Sequence, residues 1–268
     1  MKKLNLIGLI VLLFFFSMNK VSAQDDSKAI QPLEEFKLNM TSGRLVVKGV
    51  NRVEFIGHSG SEVIIQSAGS TKKDSDRSEG LKLINGLGLE DNTGLGLSVV
   101  KEGNDNVIQE LSGRKSRSYI IQVPKDVTIV YEHSSAYGKK VKFKNILGEI
   151  ESTTNHSSVM LDDVSGPITI NTVHGDIDCS FTNVNQSNPI SILSSHGDID
   201  LSIPQATKAS FKIETSWGEI YSDLDINIDR ENGSMKSYSG NKVVGSLNGG
   251  GVNFHVRSTH GTIYLRKK

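Results

Sequence analysis

Apolar and polar residues alternate one by one along most of this chain, and few stretches carry apolar residues at helical spacing. A period of two is the mark of strands with one face in a core and the other in solvent. Past residue 120 the alternating runs come in couples. The first run of a couple reads Glu149-Ile150-Glu151-Ser152, Ile168-Thr169-Ile170-Asn171, Ile190-Ser191-Ile192-Leu193, Phe211-Lys212-Ile213-Glu214 or Val252-Asn253-Phe254-His255-Val256. The second reads Val159-Met160-Leu161, Ile177-Asp178-Cys179, Ile199-Asp200-Leu201, Ile220-Tyr221 or Ile263-Tyr264-Leu265. The corner joining the two runs repeats a short pattern of Ser or Thr, any residue, a ring, then Gly or Ser. The rings are Tyr137, His156, His174, His196, Trp217, Tyr238 and His260, at gaps of 19, 18, 22, 21, 21 and 22 residues. Two positions earlier stand Ser135, Thr154, Thr172, Ser194, Thr215 and Ser258, with Lys236 the exception. A second corner falls at Gly148, Ser165-Gly166-Pro167, Asn188-Pro189 and Gly249-Gly250-Gly251, residues suited to turns.

A repeat this short cannot bury a hydrophobic face alone, so the pattern predicts stacked coils. The expected fold is all-β: a right-handed β-solenoid, single-stranded and parallel β-helix-like, with coils of about 21 residues. Inward Ile and Val would form ladders at the ~4.8 Å spacing of neighbouring strands. Right-handedness follows from the general preference of parallel crossovers. Both end coils would have open edges, and Arg266-Lys267-Lys268 would guard the last strand against aggregation. Residues 24–120 form a less regular N-terminal β region, and residues 121–268 hold the solenoid repeats. Within the N-terminal region, Val53-Glu54-Phe55-Ile56 and Val63-Ile64-Ile65 flank Gly57-His58-Ser59-Gly60 as a hairpin-like pair. Residues 68–80 read as a mobile polar loop.

Residues 1–23 read as a signal peptide. Lys2 and Lys3 precede an apolar run from Leu4 to Phe16, and Val21-Ser22-Ala23 is a small-residue cleavage site. The run is shorter than the ~20 residues that span a bilayer, so no stable membrane insertion is expected after cleavage. Loss of Lys2, Lys3 and Lys20 from 30 basic residues leaves 27 against 30 acidic ones. That slight negative balance argues against nucleic acid as a partner. The lone Cys179 cannot form an internal disulfide, and it stands where Leu201 stands one coil later, as a small buried apolar residue does.

The element from Val53 to Ile65, the strand Val123-Pro124-Lys125-Asp126-Val127 and the Gly-Asp-Ile coils at Gly175 and Gly197 together resemble the DUF4097 family. These are adhesin-like exported β-strand-repeat proteins of bacteria, related to GIN-domain adhesin heads. The resemblance covers roughly residues 33–268. It implies the repeat fold and an exported protein of the periplasm or cell surface, and it transfers no catalytic residue.

Three columns could carry chemistry. Histidines in the ring column, with His174 and His196 one coil apart, His156 below and Trp217 above, could share Zn²⁺ or Cu²⁺. A stack of flat rings over the Gly corner accounts for all seven positions, because Tyr and Trp fill the same column. An acidic column of Asp176, Asp198 and Glu219, with Asp178 and Asp200 two residues on, is either a solvated ladder or a Ca²⁺ site between Asp176/Asp178 and Asp198/Asp200. No other cofactor is expected. Trp217, Tyr221, Tyr238 and Tyr264 either stack on a sugar or form a covered corner and partly buried ladder. The periodic acids favour a repeated surface over a tuned acid–base pair, and nucleophile-elbow and His-Glu-x-x-His motifs are absent. The expectation is therefore a non-enzymatic envelope scaffold whose partners are glycans or another envelope protein. The alternatives are a periplasmic envelope-stress or assembly accessory and a solenoid carbohydrate-active enzyme.

Overall fold

The computed structural model describes residues 34–68, 80–111, 117–229 and 241–268. The expected signal peptide, Tyr238 and almost all of the 68–80 loop lie outside the described residues. Residues 33–268 form one compact unit. Among the described residues every regular element is a strand, and the strands form two mixed sheets.

The first sheet runs, edge to edge, through β1 (Glu35–Asn39), β4 (Glu62–Ala68), β7 (Ser118–Pro124), β3 (Val53–His58) and β9 (Lys140–Lys144). It continues through β11 (Ser158–Val164), β13 (Ile177–Phe181), β15 (Ile199–Ile203), β21 (Ile263–Lys267) and β17 (Ile220–Ser222). The second sheet begins with β18 (Asn227–Ile228), β19 (Asn241–Leu247), β16 (Ala209–Thr215), β20 (Val252–Ser258) and β14 (Ile190–Ser194). It ends with β12 (Ile168–Thr172), β10 (Ile150–Thr154), β8 (Thr128–His133), β2 (Arg44–Lys48), β6 (Asp105–Glu110) and β5 (Leu97–Glu102). Each coil contributes one strand to each sheet, and most neighbours along the stack are parallel.

The period-two pattern becomes two ladders on the inner face of the first sheet. Val53, Val141, Val159, Ile177, Ile199, Ile263 and Ile220 form one row. Phe55, Phe143, Leu161, Cys179, Leu201 and Leu265 form the next. Phe55 stacks on Phe143 with ring centroids 5.0 Å apart, and Phe254 packs against both Phe181 and Phe211. Cys179 is a buried free thiol between two leucines, and burial pushes its ionisation well above the ordinary thiol range. A continuous core of this kind, rather than any one contact, stabilises the stack, at ~25 cal/mol per Å² of apolar surface removed from water.

Spatial order departs from chain order at both ends. The last coil (β20, β21) lies between β14/β15 and β16/β17, with Ile190 opposite Phe254 and Phe254 opposite Phe211. β21 is thus flanked on both sides by β15 and β17, and the expectation that the final strand is an open edge is wrong. Among the described residues the strand at that end of the first sheet is β17 instead. Likewise β2/β3 lies between β6/β7 and β8/β9. The hairpin expected from residues 53–65 does not form, because β7 stands between β3 and β4, parallel to one and antiparallel to the other. Alternation and turn residues mark where strands are but not which strand fills a gap, so local reading pairs chain neighbours that the core separates.

Candidate functional site

The corner pattern has a direct physical cause. Thr154, Thr172, Ser194, Thr215 and Ser258 are all buried. Ser258 Oγ accepts the Gly261 N–H at 2.9 Å and donates to the Gly197 carbonyl of the next coil at 2.8 Å. Thr215 does the same with the Gly218 N–H and the Gly261 carbonyl, each at 3.0 Å. Ser194 accepts from the Gly197 N–H at 2.9 Å and reaches the Gly175 carbonyl at 3.5 Å. One hydroxyl thus closes its own corner and fastens it to the neighbour. The glycine is there for space, since a Cβ on Gly197 would lie 1.9 Å from the Gly175 carbonyl oxygen, and one on Gly261 2.1 Å from that of Gly197.

This close approach brings the rings into a stack. His156 and His174 are 5.0 Å apart between centroids, His174 and His196 4.5 Å, His196 and His260 4.5 Å, and His260 and Trp217 6.4 Å. His260, not Trp217, is the neighbour of His196, which corrects the expected order and follows from the threading of the last coil. Tyr137 does not join the stack: among the described residues it contacts no other ring, and it is 73% exposed. In register, the residue beside Thr154 is His133, not Ser135. Tyr238 lies outside the described residues.

The imidazole Nδ1 of His260 lies 3.1 Å from the Ser195 carbonyl, and that of His196 lies 3.3 Å from the Val173 carbonyl. A nitrogen bonded to a carbonyl carries its hydrogen, leaving Nε2 with the lone pair. The His196 and His260 planes differ by 4°, so their Nε2 lone pairs run side by side rather than converging on one ion. Among the described residues no group of three or more His, Cys, Asp or Glu side chains is arranged to hold a metal.

The acidic column is engaged in the stack. Asp176 Oδ1 accepts the Asp198 N–H at 3.0 Å, and Asp198 Oδ1 accepts the Thr262 N–H at 2.8 Å. Asp178 faces Asp200, and burial, followed by the Asp200 charge, holds the Asp178 carboxyl above its usual range. On its other flank Asp200 opposes Tyr264 and is clasped by Arg266 through Nε at 2.8 and 2.9 Å and Nη2 at 2.8 Å. The expected successor in the acidic column, Glu219, lies a further coil away and accepts the Tyr221 hydroxyl hydrogen.

At the open edge of the first sheet the remaining predicted rings come together. Tyr221 stacks on Tyr264, with centroids 5.6 Å apart and planes 12° apart, and the Arg266 guanidinium lies 5.4 Å from the Tyr264 centroid. Trp217, 79% exposed, ends the corner stack on the same coil as Tyr221, itself 53% exposed. The sequence reading missed Arg266 because it treated the C-terminal basic residues only as edge charges. Its period-two spacing from Tyr264 was the available signal.

The family model described as Toastrack DUF4097 matches residues 17–266, and the chain belongs to that family. Its fold is all-β and solenoid-like. Two solved structures are similar. One is a candidate cell adhesion protein from Clostridium sporogenes ATCC 15579, 11% identical, with a TM-score of 0.47, covering 88% of this chain and all of that one. The other is a candidate adhesin from Bacteroides fragilis NCTC 9343, 10% identical, with a TM-score of 0.34, covering 89% of this chain and 98% of that one. No curated protein matches the chain.

Proposed function

We propose that this protein is a non-enzymatic binding scaffold of the cell envelope, exported to the periplasm or surface, that holds glycans against the edge formed by Trp217, Tyr221 and Tyr264. The observation that carries the reading is the concentration of exposed rings at β17, where Trp217 and Tyr221 stand in solvent and Tyr221 is held flat against Tyr264. Single exposed apolar residues are ordinary, but grouped ones mark interaction surfaces. Flat rings present an apolar face, and Arg266, Glu219 and Asp200 around them offer hydrogen-bonding groups for hydroxyls. The engagement of Asp176, Asp198 and Asp200 with the scaffold favours binding over acid–base chemistry. A right-handed stack of about 21-residue coils belongs to the same reading, supported by the preference of parallel crossovers.

A glycan array probed with the mature chain tests it. Binding to at least one glycan, weakened tenfold or more by Trp217→Ala and by Tyr264→Ala with the melting temperature unchanged, is the expected result. Equal binding by parent and both variants would move the site elsewhere. Silence across the array would end the glycan reading in favour of a protein partner.

A further inference from the structure

A second feature of the first sheet lies several coils from the ring edge. Across the outer face of β7, β3 and β9 runs a groove of about 340 Å³, lined by Arg52, Glu54, Ser118, Ile120, Lys140 and Lys142. Register orders these residues in two rows. Val53 is opposite both Tyr119 and Val141, which sets Arg52 between Ser118 and Lys140. Glu54 is opposite both Ile120 and Lys142.

Three cations thus face one carboxylate. Arg52 donates one N–H to Ser118 Oγ at 3.3 Å. Among the described residues neither lysine has a carboxylate within ion-pair distance, and their neighbours on the next strand are Ser158 and Met160. Like charges on adjacent strands repel, and among the described residues Glu54 beside Lys142, with Asp178 acting on Lys140 from farther off, leaves the groove net positive in a chain whose formal net charge is zero. Elsewhere on the same sheet the chain does neutralise its charges, as Arg266 does with Asp200.

We infer that this groove binds an acidic polysaccharide through carboxylate or phosphate groups carried on successive sugar units. Arg52 supplies a planar fork suited to either anion, and the two lysines supply point charges. Lys140 and Lys142, two residues apart on one face, stand ~6.6 Å apart along the strand, and neighbouring strands are ~4.8 Å apart. That spread exceeds one small anion and suits a chain of them. Ile120 and the lysine stems give the sugar rings an apolar floor. The inference stands on charge and does not rest on the Trp217 edge.

The test measures binding of the mature chain to polygalacturonate, to inorganic polyphosphate and to uncharged dextran at 20 and 300 mM NaCl. At low salt at least one anionic polymer binds and dextran does not, and affinity falls tenfold or more at high salt. Polygalacturonate alone identifies carboxylate, and polyphosphate alone identifies phosphate. Lys140→Gln/Lys142→Gln lowers affinity at least tenfold without moving the melting temperature, Glu54→Gln raises it severalfold, and Trp217→Ala leaves it unchanged. Absence of binding by both anionic polymers at low salt overturns the inference, as does undiminished binding by the folded double variant.

Discussion

At the corner between His174 and His260, the same hydroxyl and the same glycine recur coil after coil. At the matching corner of the β2/β3 and β8/β9 coils, side chains that occur once do the holding. There His133 takes the place of the hydroxyl in register with Thr154, and its Nε2 meets Asn51 Oδ1 at 3.0 Å. The Asn51 backbone N–H in turn donates to Glu110 Oε2 at 3.2 Å, and Tyr131 donates its hydroxyl to the Val50 carbonyl at 2.7 Å. The repeated corner satisfies each backbone group with the fewest atoms and leaves its rings outside. The singular corner buries His133 and half-buries Glu110, and burial pushes the Glu110 carboxyl up to about 7 while it lowers the His133 imidazole. Repetition therefore yields a corner indifferent to pH in its interior, whereas the singular corner yields a buried polar network whose strength depends on protonation.

The sharpest way to break this contrast is at glycine. Gly197→Ala should destabilise on the order of 3 kcal/mol in urea unfolding, because its Cβ would overlap the Gly175 carbonyl. Gly49→Ala, at the singular corner, meets nothing within 4 Å and should cost only about 1 kcal/mol for its φ of +70°. Equal losses would refute the claim that the approach of the Gly175 carbonyl, rather than backbone conformation, sets the need for glycine at position 197.

Next in size, Ser258→Ala removes a hydroxyl that serves two backbone groups and should cost about 2 kcal/mol. Ser67→Ala, which removes a buried hydroxyl with no partner among the described residues, should be neutral within about 0.5 kcal/mol.

A smaller effect distinguishes the corners by pH. The folded-state value of Glu110 lies above its ordinary value of 4.5, so its contribution is fully present below pH 4.5 and is lost as pH rises through 7. Glu110→Gln should therefore gain stability relative to the parent between pH 5 and pH 8, by about 1 kcal/mol once partial exposure is allowed for. A difference that stays flat over that window would mean the carboxylate is solvated in the folded state.

Smallest of all, His196→Ala opens a gap in the exposed ring stack and should cost about 0.5 kcal/mol. A loss of several kcal/mol would show that the rings, not the hydroxyls beneath them, hold the corner.

Much of this was legible in the residues. The spacing of Thr172, His174 and Gly175, repeated at Ser194, His196 and Gly197, carries both the stack and its chemistry, because the Ser194 hydroxyl reaches the Gly175 carbonyl and the His196 ring stacks on His174. Tyr137 shows the limit of the pattern: Ser135, Tyr137 and Gly138 copy the letters, yet Ser135 Oγ accepts only the N–H of Tyr137 and no neighbouring ring meets it. The place of His260 between His196 and Trp217 was not legible, since a repeat unit carries the same inward residues whichever neighbour it receives. The Arg52–Lys142 groove was hidden for a related reason. Its residues come from three strands far apart in sequence, and each reads alone as an ordinary exposed residue on an alternating strand.

The threading of the last coil also bears on how the chain reaches its final state. β16 and β17 are made before β20 and β21, yet they rest on them rather than on β14 and β15. A stack of this kind cannot zip coil by coil in chain order, because β16 can pair with β19 but neither β16 nor β17 reaches β14 and β15 until residues 252–268 fill the place between them. Loss of the last seventeen positions would therefore remove a middle layer instead of trimming the end, and the ring-bearing edge would go with it. Assembly of that edge waits for residues 252–268.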